Sequence, residues 1–137
     1  MNAIGKKRQT VESEARTWFE LGESYRGLGW FEQAVESYQQ ALRVEPGHRE
    51  AWLKIAVVHE RAGESRRSVA VLEQAVRQNP SDAPLWHALG VYYDRYDKKY
   101  GYHKVREVHR VLRDLDPELA QRFFEQFVQR IYTQSTF

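Results

Sequence analysis

The chain has 137 residues, 42% hydrophobic and 29% charged, a composition that suits one soluble domain with a sizeable core. Its 21 basic and 19 acidic side chains leave a formal charge of +2, too small by itself to argue for nucleic acid or an anionic surface as partner. It has no cysteine, which excludes disulfides and thiolate ligands, and no apolar run approaches the ~18 residues of a membrane span.

Residues 1–10 carry Lys6, Lys7 and Arg8 with no apolar stretch behind them, so they read as a disordered basic tail and not as an export signal. A cytoplasmic location is the expectation. From Ala15 the chain repeats itself. Trp18, Trp52 and Trp86 stand at equal intervals, and each opens one pattern: Trp18-x2-Leu21-Gly22-x2-Tyr25, Trp52-x2-Ile55-Ala56-x2-His59 and Trp86-x2-Leu89-Gly90-x2-Tyr93. Steps of three and four place these residues on one face of a helix, and the Gly or Ala lets a neighbouring helix come close.

Gly29 and Gly63 then break the pattern where a tight turn needs positive φ. A second helix follows, with inward positions Ala34, Tyr38 and Ala41 in the first unit and Ser68, Leu72 and Ala75 in the second. Pro46 and Pro80 end these helices. In the third unit the matching proline is Pro117, three residues late. The spacing predicts a longer first helix or a larger loop, with Val105, His109 and Leu112 as the inward set of the second. Residues 118–133, which lack the pattern, read as a capping helix.

These motifs resemble the tetratricopeptide repeat, whose Trp, Leu-Gly, Tyr, Ala, Tyr, Ala and Pro the first unit matches at every place. The resemblance covers Ala15 to about Pro117. It implies an all-α fold, a right-handed α-solenoid of three helix-turn-helix repeats (about 15–48, 49–82 and 83–117) plus the cap. That makes seven helices in one domain spanning 11–137. His59 in place of Tyr and Ser68 in place of Ala depart from the pattern.

In that family the first helix of each repeat lines a concave groove. The corresponding places are Phe19, Glu23 and Arg26, then Leu53, Val57 and Glu60, then His87, Val91 and Asp94, with Lys54 at the border. Phe19, Leu53, Val57 and Val91 give an apolar centre between charges of both signs, which suits a helical or extended segment of a partner protein. The places that hold a chaperone's C-terminal carboxylate elsewhere in the family are here Phe19, Glu23, Lys54, Pro84 and Ala88. Only Lys54 could serve, so no such tail is expected.

Two further surfaces are candidates for self-association. Tyr92, Tyr96, Tyr100 and Tyr102 crowd around the inserted residues, and Phe124, Val128 and Tyr132 extend the apolar arc of the cap beyond what one-sided packing requires. The expected role is a protein-binding adaptor, with a small assembly or secretion-type chaperone as one alternative and a polyanion-binding adaptor as another. For the last, His103, Arg106, Arg110 and Arg113 share a face. Glu107 and Asp114 interrupt it and no aromatic platform accompanies it, so it reads as a solvated helix face. No cofactor, metal or catalytic group is expected: the five histidines never stand three or four apart. The terminal Ser135-Thr136-Phe137 has the form of a PDZ-type ligand, too short a match to use.

Overall fold

In a computed structural model the backbone is described for residues 3–134 and the side chains for residues 8–133. The described residues are helical with no strand: α1 (Ala3–Gly27), α2 (Phe31–Val44), α3 (Arg49–Arg61), α4 (Ser65–Gln78), α5 (Ala83–Tyr96), α6 (Gly101–Leu115), α7 (Pro117–Phe123) and α8 (Gln129–Gln134). A π-helical turn, Phe124–Val128, joins α7 to α8 without a break, so the cap is one rod and the rods number seven among the described residues. Two compact units divide within α4, one of residues 1–71 and one of residues 72–137.

Helix α1 begins at Ala3, which corrects the expectation of a disordered tail over residues 1–10. That stretch contains no proline, and its Lys, Arg and Gln are good helix formers. The repeat supplies the costly nucleus, and each added residue then gains a hydrogen bond. Met1 and Asn2 of that tail lie outside the described residues, as does Ser135-Thr136-Phe137.

The core of the first unit is Ala34, Tyr38, Ala41, Ala51, Ile55 and Val58, bordered by half-buried Trp18, Phe19, Tyr25 and Val71. Gly29 and Gly63 hold φ of 78° and 79°, as their turns require. Ser68, in an alanine's place and fully buried, donates its hydroxyl to the Ala56 carbonyl at 2.7 Å, so no buried polar group is left unpaired there. His59 pairs its Nδ1 with Glu64 Oε2 at 3.1 Å.

In the second unit the three extra residues are shared out. Helix α5 gains one over α3, the connecting segment gains one and α6 gains one over α4. Asp97 organises this connection: its carboxylate accepts from the Tyr100 N–H at 2.8 Å and from Lys104 Nζ at 2.7 Å. Those two donors hold the Asp97 carboxyl below its usual range. Gly101 is required by a close approach, since a Cβ there would stand 2.7 Å from the Tyr93 carbonyl oxygen. Val105 and Leu112 are buried as expected, but Val108 fills the core beside them while His109 is only half-buried.

Candidate partner-binding surface

The tryptophans place the stripe residues. Trp52 Nε1 donates to the Pro46 carbonyl at 2.9 Å, and Trp86 Nε1 donates to the Pro80 carbonyl at 2.8 Å. Each bond spans six residues and fastens the start of a repeat's first helix to the turn before it. Side-chain caps complete these starts: His48 Nδ1 accepts from Ala51 N–H, and Asp82 Oδ1 accepts from Leu85 N–H.

In the first unit, Phe19, Glu23 and Arg26 of α1 and Leu53, Lys54, Val57 and Glu60 of α3 are all half-buried. Phe19 packs its ring at 5.6 Å from Tyr38 and 5.0 Å from His48. Glu23 is the centre of a polar network. Arg26 approaches it with Nε at 3.2 Å and Nη2 at 3.0 Å, the Tyr38 hydroxyl donates to it, and Lys54 Nζ lies 4.0 Å away on α3. Burial opposes ionisation of Glu23, but the Arg26 and Tyr38 hydrogen bonds prevail and hold its carboxyl below the usual range. Burial, and then the Glu23 carboxylate it donates to, push the Tyr38 hydroxyl well up against the opposing effect of Arg26, so it stays a donor. Beside this network a cleft of about 630 Å³ opens over Phe19, His48, Glu12, Arg16, Glu20 and Glu50.

In the second unit the expected stripe is taken up by the cap. The His87 ring meets Phe123 edge-on at 5.8 Å, Val91 and Phe127 line one cleft, and Arg130 Nη2 reaches Asp94 Oδ1 at 2.6 Å. Burial and the charge of Arg122 depress His87 below the ordinary imidazole value. The cap therefore keeps part of the repeat pattern after all. Pro117 and Phe123 stand six apart, as do Pro46 and Trp52, and a Cβ on Gly90 would lie 2.5 Å from the Phe123 ring. The sequence carried that spacing, but a phenylalanine in a tryptophan's place concealed it.

Of the expected self-association residues, Tyr92 and Val128 are buried, which corrects their assignment to an interface. Tyr96 and Phe124 are half-buried, while Tyr100, Tyr102 and Tyr132 are exposed. The wide apolar arc of the cap has a local cause: the π-turn shifts the helical phase between Phe124 and Val128, so Phe127 and Val128 within it are buried as well as Ala120 and Phe123 before it. Among the described residues no group of His, Cys, Asp or Glu could hold a metal ion, and no helix is long and apolar enough to cross a membrane.

Comparison with known proteins agrees with this architecture. A model of the tetratricopeptide repeat family matches residues 19–83. No curated protein sequence matches the chain. Similar solved structures include the first tetratricopeptide repeat domain of Spaghetti (RPAP3), bound to the HSP90 peptide SRMEEVD, at 16% identity and a TM-score of 0.62 over 88% of this chain and 94% of that one. The Sgt2 domain from Aspergillus fumigatus matches at 18% identity and 0.61, over 90% and 83% of the two chains. MamA residues 41-end from Desulfovibrio magneticus RS-1 match at 24% identity and 0.59, over 88% and 68%.

Proposed function

We propose that this chain, whose residues 19–83 belong to the tetratricopeptide repeat family, is a non-enzymatic adaptor that holds a segment of a partner protein on the stripe of α1 and α3. Stacked helical repeats of this kind present their inner helices as protein-binding surfaces. The observation that carries the reading is the pairing of an apolar centre with a fixed polar rim. Phe19, Leu53 and Val57 are half-buried and so available in part, while Glu23, Arg26 and Lys54 are already held in one network. A rim ordered before binding loses little side-chain entropy when a partner arrives. The fitting ligand is a helical or extended segment with apolar anchors at its centre and polar ends.

Of the residues named on α5, His87, Val91 and Asp94 contribute through the cap that covers them and not as direct contacts. A chaperone's carboxylate tail is not the ligand. Lys54, the one suitable cation, already neighbours Glu23, and a single lysine cannot offset the desolvation of a carboxylate.

Affinity capture from the native host tests this. Wild type is expected to retain a partner that Leu53→Glu and Val57→Glu lose with helicity unchanged, whereas retention by both variants removes the α1–α3 stripe from consideration. A client-protecting chaperone would use the same apolar centre and is distinguished by suppression of one client's aggregation. Self-association would have to rest on Phe124, Tyr132 and the exposed tyrosines, and light scattering at high concentration reads it directly.

A further inference from the structure

We infer that the outer face of α6, together with the cap, is a site for single-stranded nucleic acid, separate from the α1–α3 stripe. Arg106, Arg110 and Arg113 follow at steps of four and three, so they share one face of the helix. Glu107 engages Arg110 at 3.4 Å, but Arg106 and Arg113 meet no carboxylate among the described residues. Glu107 and Asp114 border one edge of the face and confine a bound backbone to the other.

The aromatic platform that the linear sequence lacks is supplied from the cap. The Arg106 guanidinium lies 5.5 Å from the ring of Tyr132 and 5.9 Å from that of Tyr102. The ring of Phe124 then stands 6.4 Å from Tyr132 and 5.3 Å from His109, which continues the row toward Arg113. Tyr102 is 42% exposed and Tyr132 45%. Beyond them a cleft of about 440 Å³, walled by His109, Arg113 and Phe124, is large enough to admit a base. Burial and the neighbouring Arg113 keep His109 below the ordinary imidazole value, so at neutral pH its ring is uncharged and can stack.

This interleaving of cations and rings selects the ligand. An acidic peptide would satisfy Arg106 and Arg113 but leave the row of rings without a role. A duplex hides its base faces and would need a longer basic track. A single strand offers phosphates for the guanidinium forks and open base faces for the rings, with stacking tolerant of sequence.

The test is fluorescence anisotropy of the full chain with a labelled mixed-sequence single-stranded oligonucleotide of about 12 nucleotides, over a series of salt concentrations. Binding should weaken with salt with a log–log slope of about −2, as two or three phosphate contacts imply. Arg106→Ala combined with Arg113→Ala should lower affinity at least roughly ten-fold, and Tyr132→Ala several-fold at constant salt. Arg67→Ala, an exposed arginine of α4, and Leu53→Glu should bind as wild type. The inference fails if no binding appears at low salt, if the arginine pair can be removed without loss, or if duplex or polyglutamate competes as well as the single strand.

Discussion

Arg130 pairs with Asp94 across 36 residues, its Nη2 2.6 Å from Oδ1, and the same interval relates Phe127 to Val91 and Phe123 to His87. One register therefore runs along the cap, which lies on α5 as a following repeat helix would. The contacts are unequal in weight. Phe123 is fully buried, whereas the Arg130 side chain is half-exposed. Phe123→Ala should destabilise the second unit by about 3–5 kcal/mol, and Arg130→Ala by under ~1 kcal/mol, in urea unfolding.

The bond between Trp52 and the Pro46 carbonyl gives a second expectation. Trp52→Phe keeps most of the apolar burial but removes this hydrogen bond, a loss of about 1 kcal/mol. Trp52→Ala should cost about 3–5 kcal/mol, because the residue is nearly fully buried. Equal effects of the two substitutions would mean that the hydrogen bond, and not the packing, dominates.

At Gly90, an added methyl would stand 2.5 Å from the Phe123 ring and 2.9 Å from Val108 Cγ1, both buried. Gly90→Ala should therefore destabilise by about 1–3 kcal/mol despite the better helix propensity of alanine. Gly27→Ala, where nothing lies within 4 Å, should be neutral or stabilising, and thermal melts of the two variants provide the comparison.

Acid should loosen the cap. His87, beside Phe123 with Arg122 acting on it, and His109, beside Phe124 with Arg113 acting on it, are both held below the ordinary value of 6.5, first by burial and then by those cations. Well above pH 6.5 both residues are neutral whether the chain is folded or not. Below it the unfolded chain takes up protons first, so stability is lost as pH falls through the depressed folded values. The melting temperature should drop between pH 6.5 and 5, and the drop should shrink in the His87→Gln, His109→Gln double variant. The lowered carboxyls of Glu23 and Asp97 act in a more acid range, so they do not mimic this effect.

Periodicity exposed the parts of the fold that repeat. Ala34, Tyr38, Ala41, Ser68, Leu72 and Ala75 are buried as their spacing requires, and both turn glycines take positive φ. What stayed hidden depended on contacts between distant residues. Nothing local tells that Arg130 will cover Asp94, or that Tyr132 will lie beside Arg106. The spacing of Glu23 and Arg26 puts them on one face of α1, but their closure into a network with Tyr38 and Lys54 needs α1, α2 and α3 in place together. The helical start of α1 is hidden for a different reason: its charges read as a solvated tail, while its propensity favours extending a helix already formed.

The most direct test of the account is a titration of the isotope-labelled chain with the partner segment recovered by affinity capture, followed residue by residue in amide NMR spectra. The largest shifts are expected at Phe19, Leu53, Lys54 and Val57, with Val91 and Asp94 little moved beneath the cap. Shifts centred on His87, Val91 and Asp94, with α1 and α3 silent, would contradict it.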